Sequence, residues 1–306
     1  MNKSNFINIV EVGPRDGLQN EARFLTPSER VDLIELLAQS GLQQIEAGSF
    51  VSPKWVPQME GTEEVIKALI SKSNLRLPVL VPNIKGYINA RQVGAQEIAI
   101  FGAASETFSQ KNINCSIEES LDRFSEVCKL AIQDKVQIRG YISCVLGCPY
   151  EGLVDNHKVV DMATRMMKMG CTNISLGDTI GIGTPNEARS LVKVCSHEIG
   201  IDKISVHFHD TYGQALANIL ACIEIGITTI DSAVGGLGGC PYASGSAGNV
   251  ATEDVVYMLN GLGLHSGVDL EQLIKITEPL CKRLGHPPAS RVANALINNN
   301  SNISWT

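Results

Sequence analysis

The chain has 306 residues, of which 44% are hydrophobic, and its formal net charge at pH 7 is -7. This length and composition favour a globular protein with a large buried core, built either as one barrel or as two smaller domains. The acidic balance and the scattered Lys and Arg residues argue against nucleic-acid binding, and the absence of a run of 18 or more apolar residues argues against a membrane span.

Short apolar segments rich in β-branched residues recur along the chain and predict eight strands. They lie near Ile7 to Val12, Gln44 to Ala47, Leu77 to Val81, Glu97 to Gly102, Gln137 to Val145, Asn173 to Leu176, Ile204 to His209 and Thr229 to Ala233. Helical patterns fill the gaps, as in CSIEESLDRFSEVCKLAIQDK and TPNEARSLVKVCSHEIG. The first helical pattern is SERVDLIELLAQSG, for which we expect Ser28 as the N-cap and Gly41 as the stop signal.

Strands that alternate with helices imply parallel pairing through right-handed crossovers. Eight such units predict an α/β fold of the (β/α)8 TIM-barrel type, with the barrel at about 5–265 and extra C-terminal helices at about 268–295. A doubly wound open sheet is the competing arrangement, but VEVGPRDGLQNE lacks its G-x-G-x-x-G turn after the first strand. We therefore expect residues 1–306 to form a single barrel domain.

Barrel enzymes place their sites at the C-terminal ends of the strands, and polar residues gather there in this sequence. They are Arg15, Asp16 and Gln19 after the first strand, Glu46 after the second, Asp178 after the sixth, and the VHFHD segment on the seventh. In a strand, His207 and His209 project to the same side, about 6.5 Å apart by the rise per residue. Such a pair can share one metal ion.

A glycine-rich segment, GGLGGCPYASGSAGN, follows the eighth strand and is typical of an active-site loop around Cys240. Asn249 ends it. Together, Asp16, His207, His209 and Asn249 offer oxygen and nitrogen ligands that suit Mg²⁺ or Mn²⁺ with open positions for a substrate.

Each of these residues also has a purely structural interpretation. A histidine pair on a strand can be hydrogen-bonded in a core, and Arg15 and Asp16 can cap a turn. Glu46 and Asp178 can brace Arg15 or the loops, and Cys240 can be one more buried thiol. Their convergence at one rim, which depends on the barrel prediction, favours a functional interpretation.

Six stretches resemble the 3-hydroxy-3-methylglutaryl-CoA lyase family over nearly the whole chain. They are VEVGPRDGLQNE, EAGSFVSPKWVPQM, SCVLGCPYEG, SLGDTIGIGTP, VHFHDTYGQALAN and GGLGGCPYASGSAGNVATED. The RDG and HxH elements alone indicate only a wider superfamily of metal-dependent barrel lyases and synthases. The GGLGGCPYA and GPRDGLQNE segments are more specific.

The resemblance implies cleavage of 3-hydroxy-3-methylglutaryl-CoA to acetyl-CoA and acetoacetate, a metal-assisted retro-Claisen reaction, and leucine degradation is the pathway that we expect. It implies metal ligation by Asp16, His207, His209 and Asn249, and a contact between Arg15 and the developing enolate. It further implies proton transfer by His207 and Cys240, with supporting or proton-handling roles for Glu46 and Asp178 and a substrate contact for Gln19.

Three other functions stay open at this point. A Claisen-type synthase of the isopropylmalate or homocitrate kind shares RD and HxH, although such enzymes carry a further C-terminal region; a 4-hydroxy-2-oxo acid aldolase is more distant. A barrel that binds an acyl-CoA without catalysis is the alternative outside enzymes, and the intact set of polar residues argues against it.

The nine cysteines are an odd number without a CxxC pair, so neither a disulfide framework nor a thiolate zinc site is favoured. The N-terminus lacks the layout of a signal peptide, and we expect a cytoplasmic location. The partner we expect is a small-molecule acyl-CoA, with no nucleic acid or membrane, and the resemblance favours a homodimer.

Overall fold

A parallel sheet forms the centre of the molecule in the computed structural model, which describes residues 5–71, 75–239 and 248–298. Within these residues the strands are β1 Asn8–Glu11, β2 Gln44–Ile45, β3 Gly48–Ser49, β4 Val79–Leu80, β5 Glu97–Ala103, β6 Gln137–Ser143, β7 Asn173–Asp178, β8 Ile204–Phe208 and β9 Thr229–Ser232. Neighbouring strands follow the order β2-β1-β9-β8-β7-β6-β5-β4-β3.

The two edges of this sheet belong to one stretch of chain, because β2 and β3 are separated only by Glu46 and Ala47. The Glu46 amide donates to Glu11 O at 2.9 Å, and the Ala47 amide donates to Pro78 O at 3.0 Å on the other side. The sheet therefore closes on itself, which confirms the predicted barrel. The second predicted strand is split in two because Pro78 has no N–H with which to continue the ladder.

Helices surround the sheet. Their bounds are α1 Pro27–Gln39, α2 Thr62–Leu69, α3 Ile84–Gln92, α4 Glu106–Ile113, α5 Ile117–Gln133, α6 Asn156–Met169, α7 Pro185–Ile199, α8 Ala215–Ile223, α9 Thr252–Gly261, α10 Leu270–Leu284 and α11 Arg291–Asn298. None of the helices within the described residues is long and apolar enough to cross a membrane.

The start of α1 corrects one sequence prediction. Thr26, not Ser28, is the N-cap: its side chain accepts from the Glu29 amide while the Glu29 carboxylate accepts from the Thr26 amide. Pro27 occupies the first helical position, where its missing N–H costs nothing, so the capping box moves the start two residues upstream. Gly41 follows the helix at a φ of +103°, as predicted for the stop signal.

The strands bury two different faces. On β8, Val206 and Phe208 join the apolar layer between the sheet and the helices, whereas Ser205 and His207 lie on the opposite face, inside the barrel. The interior also carries charged groups, including Arg139, which is only 2% exposed. Polar chemistry is therefore built into the barrel itself, not only into its loops.

The two C-terminal helices pack back onto the barrel. Helix α10 lies against α1 and α9, and the Thr277 hydroxyl on α10 donates to the buried Glu253 carboxylate. Between α10 and α11, the Ala289 amide donates to Gly235 O at 2.8 Å. This segment thus supports the chain just after β9, where the glycine-rich stretch begins.

Candidate metal centre and active site

The turn after β1 places two charged side chains at the barrel mouth. Gly13–Gly17 forms one π-helical turn with Pro14 near its start. A side chain at Gly13 would place its Cβ 2.5 Å from Glu11 Oε1, so the turn packs tightly against the end of β1. Arg15 is 6% exposed, and Asp16 next to it is partly buried.

Asp16, His207 and His209 converge at this mouth. One potential ligand atom from each of the three lies within 4.8 Å of the others. The Asp16 Oδ2 atom is 3.7 Å from His207 Nε2, and the ring centroids of the two histidines are 5.6 Å apart. The sequence prediction that the two imidazoles share one face with a carboxylate from the first strand is therefore met by the geometry.

Asn249 joins the group through backbone pairing. It forms an antiparallel bridge with His209, and the Val250 amide donates to Phe208 O at 3.1 Å. The Asn249 Nδ2 donates to Asp16 Oδ2 at 2.8 Å and to Leu237 O at 3.1 Å. Rotation of the terminal amide by half a turn exchanges its nitrogen and oxygen, so the same position can offer an oxygen ligand.

The protonation states at this cluster suit a cation. Although burial opposes ionisation, the Arg15 guanidinium and the two histidines lower the pKa of Asp16 to about 2. Burial, assisted by the charge on His207, lowers the pKa of His209 to about 4. At neutral pH the cluster therefore presents an ionised carboxylate and a neutral imidazole, which are the forms that bind metal ions.

The residues present fit a divalent ion. The buried Nδ1 atom of His209 has no hydrogen-bond partner within the described residues, which is costly for an atom excluded from water. A metal ion bound at that nitrogen would remove this cost. Two imidazoles, one carboxylate and one amide form a mixed nitrogen and oxygen set, which suits a divalent cation that keeps open positions.

Arg15 is held on the other side of the carboxylate. Its Nε donates to Glu46 Oε2 at 2.7 Å, and one terminal nitrogen donates to Asp16 Oδ1 at 2.6 Å. Burial opposes its charge, but Glu46 and Asp16 together raise the pKa of Arg15. Its guanidinium also lies 5.4 Å from the centre of the Tyr141 ring, within cation–π range.

Of two further residues predicted from the sequence, the Gln19 side chain lies at the cluster and the Asp178 side chain does not. The Gln19 amide donates to Asp16 Oδ1 at 3.1 Å, which places it at the cluster. The Asp178 Oδ2 instead accepts from the Gly183 amide at 2.9 Å, in the loop after β7, and burial raises the pKa of this carboxyl to about 6. Asp178 reaches the cluster through its backbone, because its carbonyl accepts from the His209 amide at 3.3 Å.

Cys240 lies outside the described residues, but the chain on both sides of it can be followed. A Cβ on Gly238 would lie 2.6 Å from Asn249 Nδ2, and a Cβ on Gly248 would lie 2.5 Å from Gly238 O. The Asn20 side chain donates to Gly239 O at 3.1 Å. Glycine at these two positions allows the chain to pass close to Asn249.

Three residues of the barrel interior were not singled out from the sequence. Tyr141 on β6 donates to Glu46 Oε2 at 3.3 Å and stacks edge-on against His207. Arg139 and Asp231 form a buried ion pair at 2.6 Å. The sequence pattern that could have identified Arg139 and Asp231 is a charged residue inside a predicted strand, in QIRGYIS and TIDSA. A charge buried in a sheet is strongly destabilising unless it has a partner of opposite charge.

Taken together, the fold and the cluster define a (β/α)8 barrel with a candidate divalent-metal centre at the C-terminal ends of its strands. Residues 6–279 match the family model described as HMGL-like. The chain therefore belongs to the HMGL-like family.

Individual relatives agree with this membership. The mitochondrial hydroxymethylglutaryl-CoA lyase of Gallus gallus is 52% identical over 289 residues, which cover 94% of this chain and 97% of that protein. The crystal structure of hydroxymethylglutaryl-CoA lyase from Pseudomonas aeruginosa superposes with a TM-score of 0.94 at 51% identity, covering 97% of this chain and 99% of that chain. An HMG-CoA lyase from Acinetobacter baumannii, in complex with coenzyme A and 3-methylmalate, superposes with a TM-score of 0.93 at 35% identity, covering 100% of this chain and 99% of that chain.

Proposed function

We propose that this protein is a carbon–carbon lyase that cleaves 3-hydroxy-3-methylglutaryl-CoA to acetyl-CoA and acetoacetate. The observation that carries the proposal is the convergence of Asp16, His207 and His209 beside a buried arginine, in a chain 52% identical to a protein named as this lyase. The reaction needs a proton to leave the C3 hydroxyl while the C2–C3 bond breaks. It also needs a group that stabilises the enolate formed on the thioester.

Asp16, His207, His209 and Asn249 would hold a divalent ion, which we expect to be Mg²⁺ or Mn²⁺. When bound, such an ion supplies positive charge that lowers the pKa of a substrate hydroxyl and orients the reacting carbon atoms. Arg15 keeps Asp16 ionised and in place through the 2.6 Å contact. Gln19 donates to the same oxygen of Asp16 and lies where it can also contact the substrate.

Arg15 suits the second requirement of the reaction. A guanidinium has five N–H groups, and the contacts with Glu46 and Asp16 use three of them. One N–H on each terminal nitrogen is left to donate to the thioester oxygen. Because the charge on that oxygen grows only as the bond breaks, this contact stabilises the transition state more than the ground state.

Proton handling is assigned to residues around the same point. The proton of the C3 hydroxyl would pass to one of the proposed proton-handling carboxyls, Glu46 or Asp178, and His207 would take part as a proposed metal ligand that helps to lower the pKa of that hydroxyl. Cys240 would deliver a proton to C2 of the enolate. Glu46 and Asp178 would support these transfers. Glu46 is placed for this by the hydrogen bonds that it accepts from Arg15 and Tyr141. The partner of the enzyme is then an acyl-CoA, in keeping with the coenzyme A in the Acinetobacter baumannii complex.

The decisive experiment compares two directions of carbon-bond chemistry. Purified protein with Mg²⁺ or Mn²⁺ is incubated with 3-hydroxy-3-methylglutaryl-CoA, and acetoacetate and acetyl-CoA are quantified. A parallel set contains acetyl-CoA with 2-oxo acids, and released coenzyme A thiol is measured. Product in the first set supports the lyase; thiol release confined to the second set would favour a synthase, and neither would favour a binding protein.

Two finer properties are proposals of a different kind. We expect a homodimer, which light scattering on the purified protein would test. A cytoplasmic location is likewise an expectation, for which fractionation of the source cells is the measurement.

A further inference from the structure

A buried ion pair lies inside the barrel, next to the residues of the candidate metal centre. Arg139 on β6 and Asp231 on β9 are 2.6 Å apart, with side chains 3% and 0% exposed. Withdrawing two charges from water costs several kcal/mol per ion unless their hydrogen bonds are well satisfied. These are satisfied: Arg139 also donates to Ser205 Oγ at 2.6 Å and to Asn173 Oδ1 at 3.1 Å.

The second oxygen of Asp231 points toward the active site. Its Oδ1 accepts from Arg139, whereas Oδ2 accepts from Ser175 Oγ at 2.7 Å and lies 3.3 Å from His207 Nδ1. An ion pair that only joined β6 to β9 would not need this second contact. The carboxylate therefore links the interior of the barrel to one of the proposed metal ligands.

The direction of this hydrogen bond follows from chemistry. An ionised carboxylate only accepts hydrogen bonds, so His207 Nδ1 has to carry the proton and donate it. In a neutral imidazole the other nitrogen then holds the lone pair. That nitrogen is Nε2, which lies 3.7 Å from Asp16 Oδ2, on the side of the cluster.

We propose that Asp231 is a positioning residue that fixes His207 in its Nδ1–H tautomer and so directs the Nε2 lone pair into the metal centre. The inference deepens the proposed function, because it states how one metal ligand is prepared before the ion arrives. Arg139 contributes by compensating the charge of Asp231 where water is absent.

The tautomer can be read directly, without metal or substrate. Long-range ¹H–¹⁵N spectra of the metal-free protein, labelled at its histidine rings, distinguish the two neutral forms at an alkaline pH where imidazoles are uncharged. The His207 signal is assigned by its loss in His207→Asn. We expect Nδ1–H; a proton on Nε2 in the wild-type protein would overturn the proposal.

Variants then test the cause. Asp231→Asn can present an amide N–H toward Nδ1, so we expect loss of the Nδ1–H form and a fall in Mn²⁺ affinity of about 10- to 100-fold by calorimetry. Ser175→Ala is the matched control, because it removes the other hydrogen bond to Oδ2 and leaves His207 in contact with Asp231. An unchanged tautomer in Asp231→Asn would contradict the inference.

Asp231→Asn leaves Arg139 without its counter-charge, which can prevent folding. The double variant Arg139→Met, Asp231→Leu removes both charges together with the acceptor for Nδ1–H and provides the second test, with the same loss of the Nδ1–H form expected. Because the tautomer is measured in metal-free protein, failure of this inference is distinct from failure of the lyase proposal. A wild-type protein with Nδ1–H on His207 but no lyase activity would contradict only the latter.

Discussion

At the scale of single residues, the role proposed for Arg15 depends on how its guanidinium is held. Its three contacts with Glu46 and Asp16 fix the guanidinium, and two N–H groups are left for a substrate oxygen. Lysine could not reproduce this fork, since an ammonium is a point charge on a flexible stem. The position thus needs geometry as well as charge.

Arg15→Gln is expected to lose turnover while largely keeping metal affinity. Glutamine retains an amide that can reach Asp16 or Glu46 but carries no charge for the enolate. Loss of one preorganised transition-state contact typically lowers kcat by about 10²- to 10³-fold. Steady-state kinetics and Mn²⁺ calorimetry measure the two effects, with Arg123→Gln on the exposed face of α5 as the control. Near-normal kcat would remove Arg15 from the proposed role.

His209→Ala is expected to weaken metal binding more than folding. The variant removes one imidazole of the cluster and also the buried nitrogen that has no hydrogen-bond partner within the described residues. Calorimetric titration with Mn²⁺ should show a higher Kd, while thermal unfolding of the metal-free protein changes little. His197→Ala, on the exposed surface of α7, is the matched control. An unaltered Kd would exclude His209 as a ligand.

At the scale of elements, the end of β1 ties two active-site segments together. Glu11 Oε1 accepts from the Gly13 amide at 2.8 Å, at the start of the Arg15 turn. The same atom accepts from the Val234 amide at 2.9 Å, just after β9, and Oε2 accepts from Thr252 Oγ1 at 2.7 Å at the start of α9. One buried carboxylate therefore aligns the segments that carry Arg15, Asp16 and the glycine-rich stretch.

Glu11→Gln tests this alignment. The amide oxygen can still accept from the Gly13 and Val234 amides, but an NH2 group replaces the oxygen that accepts from Thr252 Oγ1. That hydroxyl then has to turn and accept, which weakens a buried hydrogen bond by about 1 kcal/mol. We expect a lower free energy of unfolding in urea together with a lower kcat. The exposed Glu278→Gln on α10 serves as the control. If kcat is retained despite the loss of stability, Glu11 supports the fold without aligning the active site.

Sequence patterns predicted the elements better than their junctions. The β/α alternation and the strand-end residues identified the barrel and the approach of Asp16 to the histidines, because both follow from local periodicity and parallel topology. The N-cap at Thr26 was missed because Ser28 is an equally good capping residue on its own. The pairing of Arg139 with Asp231 joins strands far apart in sequence, and only closure of the barrel brings them into contact.

At the scale of the whole molecule, several buried carboxyls make stability depend on pH. Burial raises the pKa of Glu11 and of Glu253 to about 7. In the unfolded chain a glutamate titrates near 4.3, so between these values the folded protein binds more protons than the unfolded one. The protonated carboxyls therefore contribute their whole share of the free energy of unfolding below about pH 4.3. This contribution is lost as pH rises through about 7.

The contribution of Asp16 to stability has the opposite dependence on pH and changes in a different pH range. Its pKa is lowered to about 2 in the folded protein, so its contribution is present above about pH 3.9 and is lost as pH falls toward 2. Between about pH 5 and 7.5 Asp16 is ionised in both states and adds no slope. A decline of stability across that interval comes from carboxyls whose pKa is raised by burial, which include the two glutamates, Asp210 and Asp178, whose pKa is raised to about 6. His209, with its pKa lowered to about 4, opposes this decline below about pH 6.5.

Glu253→Gln separates these contributions. The Glu253 carboxylate accepts from the Gly235 amide, at 2.8 Å for one oxygen and 3.1 Å for the other, and from the Thr277 hydroxyl. None of these donors is a proposed metal ligand, so the variant removes one titrating group without replacing a ligand. We expect the free energy of unfolding in urea to fall less steeply with pH between about 5 and 7.5 than in the wild-type protein, because one fewer carboxyl releases a proton there. Glu278→Gln should leave the slope unchanged. An identical slope in Glu253→Gln and the wild-type protein would mean that Glu253 is ionised throughout this range, with its three hydrogen bonds outweighing the effect of burial.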